Sequence, residues 1–278
     1  MHEHHGHDHG HHHEPDEERH DPSCPSEQRC GHLHESAGEP LFGCEGLIVG
    51  FGSTALLPAV ELTLRHGELC AVIGPNGSGK TTLVRTLLGL QPPLRGRLRT
   101  YCEGRCDMAY IPQRSELDPI VPLRARDVVA MGVERGQSFL RPWLPRQDRL
   151  RIDHAIAEME VGHLERRLFR ELSEGQKQRV LMARLMASHP ELALLDEPTA
   201  AMDPVAQRAT FELIDKLRRQ HGMAVLMVTH HLEPVRERAD QVLFLDGDRQ
   251  VVLVGPPAEV FAHPAFEARY GQVGAPVA

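Results

Sequence analysis

The sequence predicts an α/β fold: a mainly parallel sheet covered by helices, preceded by an antiparallel β subdomain and interrupted by a helical subdomain. Three observations carry this reading. From residue 68 onward short apolar runs alternate with amphipathic stretches, the pattern of a parallel sheet. Before Gly67, apolar residues cluster near 47 to 49, 56 to 57 and 60 to 64, as in short antiparallel strands. Residues 115 to 171 combine Arg, Pro and helical spacing. In chain order, Glu68 to Gly74 is an apolar run with the length of a buried strand. Lys80 to Leu90, apolar at 83, 84, 87 and 88, reads as a helix closed by Gly89. The helical insertion is expected over about 115–180, followed by a helix from Val180 to Ser188. Strands are expected at Leu192 to Asp196, Met223 to Thr229 and Gln241 to Asp246, with a helix from Val205 to Gln220 between the first two. No internal repeat is found.

Composition narrows the function classes. The 278 residues are 41% apolar and 25% charged, as in an ordinary globular protein. No apolar run approaches the ~18 residues that cross a bilayer, and no apolar stretch of a secretory signal opens the chain, so a cytosolic setting is expected. Cys24, Cys30, Cys44, Cys70, Cys102 and Cys106 are too few and too scattered for a disulfide scaffold, and reduced thiols are expected. The net charge of −8 resides in residues 1–40, where ten acidic residues face two Arg; the remainder balances 29 acidic against 29 basic groups. Without a basic excess the body does not read as a nucleic-acid binder. The same 40 residues hold 11 of the 19 histidines and scarcely an aliphatic side chain, so they read as a disordered, His-rich acidic tail ahead of a domain spanning 41–278.

Gly74-Pro75-Asn76-Gly77-Ser78-Gly79-Lys80-Thr81-Thr82 fits GxxxxGK[ST] between an expected strand and an expected helix. That context makes it a phosphate cradle, which resembles that of the P-loop nucleoside triphosphatases. Its glycines let backbone amides close round the phosphates, Lys80 pairs with β and γ oxygens, and the Thr81 hydroxyl ligates Mg²⁺. Leu192 to Glu197 is an apolar strand ending in two carboxylates, of which Asp196 suits the Mg²⁺ shell and Glu197 an attacking water. Leu172-Ser173-Glu174-Gly175-Gln176 precedes a helical stretch, so Ser173 caps a helix whose N-terminal amides face an anion.

These three segments, in this order, resemble the phosphate loop, acidic strand and signature motif of the ATP-binding cassette (ABC) ATPases, over roughly residues 42 to 278. The signature has Glu174 where glycine is commoner in the family. The resemblance implies further roles. Gln113, in Ile111-Pro112-Gln113-Arg114, resembles the glutamine that contacts Mg²⁺ and moves with a permease. Asp203 resembles the aspartate that crosses the dimer interface, and His230 the histidine that bonds the γ-phosphate, with no catalytic role for His231. Phe51 stands where the family places an aromatic residue, usually tyrosine, on the adenine. The resemblance also implies a head-to-tail homodimer, each ATP held between Lys80 of one copy and Ser173, Gly175 and Gln176 of the other, docked on an integral-membrane permease at the cytoplasmic face of the membrane.

Ile111 to Arg114, Asp118, Pro122 and Asp127-Val128-Val129-Ala130-Met131-Gly132 resemble the manganese, zinc and iron branch of that family. The resemblance implies a metal importer supplied by an extracytoplasmic metal-binding protein. The tail gives a separate indication: His2, His4, His5, His7, His9, His11, His12 and His13, interleaved with Asp8 and Glu14, are imidazoles suited to Zn²⁺. Cys24, Cys30, His32 and His34 offer a thiolate-containing addition. Cys102 and Cys106 read as packed or exposed rather than ligating. Three readings remain: an ATPase importing a transition metal, zinc first and manganese or iron next; an ABC ATPase for another cargo or for efflux; and a metal-buffering regulatory module.

Overall fold

The computed structural model describes residues 38–102, 106–113, 122–133, 144–200 and 202–271. Residues 1–37 of the expected tail therefore lie outside the described residues, as do Asp118 and Arg114 of the metal-branch pattern, whereas Pro40 already opens the first strand, where it pairs with Arg65.

The main sheet has six strands in the order β11-β10-β5-β9-β8-β7. Its members are β5 (Leu69–Ile73), β7 (Met108–Ile111), β8 (Leu192–Asp196), β9 (Ala224–Val228), β10 (Gln241–Asp246) and β11 (Val251–Gly255). All neighbours are parallel except the β10–β11 pair. Strands β5, β8 and β9 are buried at every residue, which is why they read as unbroken apolar runs rather than alternating ones. β8 and β9 each feed two cores. Leu192 and Leu194 of β8, with Leu226 and Val228 of β9, face the antiparallel subdomain, whereas Ala193, Leu195, Val225 and Met227 face the helices.

The antiparallel subdomain orders β4 (Val60–Arg65), β1 (Pro40–Ile48) and β6 (Arg95–Thr100), with a small hairpin of β2 (Gly50–Phe51) and β3 (Thr54–Ala55). β4 alternates buried and less buried residues, the period expected of a sheet covered on one face. The apolar pair at 56 to 57 is not a strand. It follows β3, and the Leu56 amide turns back onto the Val49 carbonyl.

The helix after the phosphate loop, α1 (Lys80–Leu87), is shorter than the expected Lys80 to Leu90, with Gly89 in the left-handed conformation just beyond it. Of the expected helical insertion, the described residues contain α2 (Ala125–Ala130), α3 (Arg146–Glu158) and the start of α4 (Glu174–Ala187). These helices pack through Val128, Val129, Ile152, Ala155, Val180 and Leu181. α4 begins six residues before the expected Val180, because its first turns are polar and carry no apolar periodicity. The remaining helices are α5 (Pro204–His221), α6 (Leu232–Arg238), α7 (Pro257–Phe261) and α8 (Pro264–Tyr270). Among the described residues no helix is long and apolar enough to cross a membrane.

Candidate functional site

Strand register brings the chemistry to one edge. Val72 of β5 pairs with Val228 of β9, which pairs with Asp196 of β8. The residues that follow these three strands, the phosphate loop from Gly74, Glu197 and Thr229-His230, therefore emerge side by side at the carboxyl end of the sheet. That is where open α/β sheets bind ligands.

In the phosphate loop a Cβ on Gly74 would run into the Leu245 carbonyl oxygen, and would sit 2.8 Å from Ser78 Oγ. Glycine is required there by the close passage of β10. Asn76 and Gly77 form the exposed tip, with Pro75 half-buried beside them. Ser78 is buried, and its Oγ has no hydrogen-bond partner. Gly79 precedes α1 and supplies no capping side chain, so the first amides of that helix remain for an anion. Thr81 is exposed in the first turn, and Thr82 is buried, its carbonyl accepting from Thr86 Oγ1 at 2.9 Å.

Lys80 is folded back over the loop. Its Nζ donates to the Gly74 carbonyl at 2.7 Å and the Pro75 carbonyl at 2.8 Å. Burial pushes its pKa down, against the pull of the Glu197 and Asp196 charges. A cation held over a concave loop by two carbonyls, with buried Asp196 beside it, fits a nucleotide phosphate chain with Mg²⁺.

Glu197 joins the remaining groups. Gln113 Nε2 donates to Glu197 Oε2 at 3.3 Å, and His230 Nδ1 lies 3.8 Å from Glu197 Oε1. The Glu197 backbone is left-handed at φ 48, a conformation a non-glycine residue rarely keeps, and its amide is fixed on the Val228 carbonyl at 3.0 Å. The local strain aims the carboxylate off the end of β8. His230 is exposed, whereas burial and the neighbouring His230 push the His231 imidazole down, against the Glu197 charge. His231 is thus held neutral, with its ring 4.0 Å from that of His230.

The helical region reaches the same place. A cleft is lined by Pro112, Phe169, Glu174, Lys177, Glu197 and Met202, so the segment carrying Gln113 and the first turn of α4 share a wall with Glu197. Ser173 and Gln176 cap α4 reciprocally. Ser173 Oγ accepts from the Gln176 amide at 3.4 Å, and Gln176 Oε1 accepts from the Ser173 amide at 3.1 Å. No side chain crowds Gly175, where an added Cβ would meet nothing within 4 Å. Asp203 Oδ1 caps α5, accepting from the Val205 and Ala206 amides at 3.0 Å each. Phe51, 60% exposed, presents a free ring on the β2–β3 hairpin.

Two features escaped the sequence reading. The Gln113–Glu197 contact joins residues 84 positions apart, and no local pattern signals it. The metal-branch pattern has a structural basis: the Arg124 amide donates to Asp127 Oδ2 at 2.9 Å, and Gly132 lets α2 close onto the Arg184 carbonyl of α4.

Residues 57–200 match the ABC transporter family. The chain is 38% identical over 227 residues, 82% of its length and 83% of the relative's, to the zinc import ATP-binding protein ZnuC of Yersinia pestis bv. Antiqua (strain Antiqua). It is similar at the same identity and coverage to ZnuC of Yersinia pseudotuberculosis serotype I. Among solved structures, it resembles an inward-facing metal-chelate type ABC transporter at TM-score 0.73 and 27% identity, covering 84% of this chain and 89% of the other. It also resembles cbiO1 of Clostridium perfringens, part of the complex cbiONQ, at TM-score 0.67 and 27% identity, covering 83% and 94%.

Proposed function

Because the chain belongs to the ABC transporter family and is an ATPase of that family, we propose that it powers import of a transition metal, zinc first, through a separate integral-membrane permease. The observation that carries the enzymatic reading is the Glu197 carboxylate, bonded by Gln113 and faced by His230 at the strand edge beside Lys80. The choice of cargo rests on the 38% identity to a zinc import ATP-binding protein.

Lys80 exchanges its two loop carbonyls for β- and γ-phosphate oxygens, and the amides from Asn76 to Thr82 surround the phosphates. Thr81, Asp196 and Gln113 would hold Mg²⁺, which when bound neutralises charge on the phosphate oxygens. Glu197 accepts the proton of the attacking water, and His230 donates to the γ-phosphate. Phe51 supports the adenine by stacking.

One copy holds only half of this site. Ser173, Gly175 and Gln176 at the amino end of α4 face the ATP bound on a second copy, with the Gly175 amide and the Ser173 hydroxyl as donors, and Asp203 meets the partner across the interface. The resulting homodimer docks, through the surface around Gln113, on the permease at the cytoplasmic face of the membrane, and an extracytoplasmic metal-binding protein supplies the cargo. The His-rich acidic tail of residues 1–40 supplies imidazoles that hold Zn²⁺ ahead of a cassette spanning 41–278.

Uptake of radioactive zinc by host cells lacking the chain tests the proposal. Wild-type chain should restore uptake and the Glu197→Gln chain should not; equal restoration, or restoration by neither, would contradict it.

A further inference from the structure

Cys102, Cys106 and Glu191 meet where the antiparallel subdomain joins the main sheet. Both thiol sulfurs and a Glu191 carboxylate oxygen lie within 4.8 Å of one another. Sequence spacing reads the two cysteines as packing residues, because the carboxylate comes from a distant part of the chain. Cys102 follows β6, and its Sγ donates to the Leu41 carbonyl of β1 at 3.8 Å. Cys106 leads into β7 and is buried. Glu191 leads into β8 and is fixed twice on Asp107: the Asp107 amide donates to Glu191 Oε2 at 3.0 Å, and the Glu191 amide donates to the Asp107 carbonyl at 2.8 Å. One carboxylate oxygen is thus held by a backbone amide, which orients the other, as in built metal sites.

We propose that Cys102, Cys106 and Glu191 bind one borderline divalent cation, Zn²⁺ before others, with two thiolates and a carboxylate as ligands and water in the remaining position. A Zn–S bond of ~2.3 Å sets neighbouring tetrahedral ligands roughly 3.8 Å apart, so the existing cluster closes by a small contraction. The S₂O set excludes Mg²⁺ and Ca²⁺, which require oxygen ligands. On binding, each thiol releases its proton to solvent and its sulfur lone pair forms the metal bond. The site would tie the β1–β6 edge to the entrance of β8, whose other end carries Asp196 and Glu197. It is independent of the nucleotide site and of the transported cargo.

The test uses the full chain carrying Cys24→Ser and Cys30→Ser, kept reduced, so that the remaining thiolates lie in the body. Titration with Co²⁺ should give the near-ultraviolet absorption of sulfur-to-cobalt charge transfer, which levels off once this site and the tail histidines are filled and is removed by excess Zn²⁺. Adding Cys102→Ser and Cys106→Ser should abolish the band while ATP hydrolysis persists, which shows a folded protein. Glu191→Gln should keep the band but weaken Co²⁺ binding roughly tenfold or more. No band in the parent chain, an unchanged band without Cys102 and Cys106, or unaltered affinity in Glu191→Gln would overturn the assignment.

Discussion

Replacing Lys80 by Met keeps the buried side-chain stem and removes only the ammonium. That ammonium makes two bonds to neutral carbonyls, at 2.7 and 2.8 Å. With ATP bound it makes bonds to anionic oxygens instead. Hydrogen bonds involving a charged group contribute about 1.5–3 kcal/mol, with carbonyl acceptors near the lower end and phosphate near the upper. The exchange of two such bonds therefore favours the bound state by about 3 kcal/mol, roughly a hundredfold in affinity. Relief of the desolvation that pushes Lys80 down stabilises free and bound forms of the variant alike, so it leaves this difference in place. Calorimetric titration with Mg·ATP should accordingly show a dissociation constant about a hundredfold higher for Lys80→Met, with the thermal midpoint of the nucleotide-free protein little altered. Affinity within twofold of wild type would refute the exchange, and with it the phosphate-cradle reading.

Glu197→Gln should lower turnover roughly 10²- to 10⁴-fold while retaining ATP and trapping the closed dimer; sedimentation with ATP checks the second half, and undiminished turnover would remove Glu197 from the base role. Ser173→Ala breaks the reciprocal cap of α4 and should cost about 0.5–2 kcal/mol of stability, read as a lower denaturation midpoint, together with loss of ATP-driven dimerisation. Glu158 gives a pH prediction. Burial alone would raise its carboxyl, but the 2.6 Å hydrogen bond with His221 and the charges of His221, His154 and Lys216 outweigh this and hold it below the usual carboxylate range. As pH falls below the ordinary Glu value the unfolded chain takes up this proton before the folded chain does, so stability falls. Glu158→Gln should flatten that acid limb in denaturation curves collected across pH, and an unchanged slope would count against the pairing.

The parts of the fold most legible in the sequence were those whose burial is two-sided or whose turn chemistry is demanding. Strands β8 and β10 begin and end at the expected residues because their apolar runs are bounded by polar ones. The phosphate loop is fixed by the strand before it and the glycine that β10 requires at position 74. β6, with the sequence RGRLRT and only one residue even half-buried, carries no apolar signal and is specified by its pairing with β1. β7 and β11 are short apolar runs that the sequence reading did not assign, β11 being placed by its antiparallel pairing with β10, and the short C-terminal helices are anchored by the Phe244–Phe266 contact rather than by local periodicity. In the site, Lys80, Asp196 and Glu197 could be named from motif context. The Gln113–Glu197 bond, the strained Glu197 backbone and the Cys102–Cys106–Glu191 cluster arise from register between distant strands, which no local pattern encodes.

The most direct test of an ATPase that imports metal is the content of zinc, manganese and iron in host cells, by mass spectrometry, on metal-limited medium. The host carrying the native chain is compared with one carrying Glu197→Gln. The account predicts a selective fall in one metal, zinc, in the variant. A rise in zinc would mean export, and unchanged levels of all three metals would contradict metal import altogether.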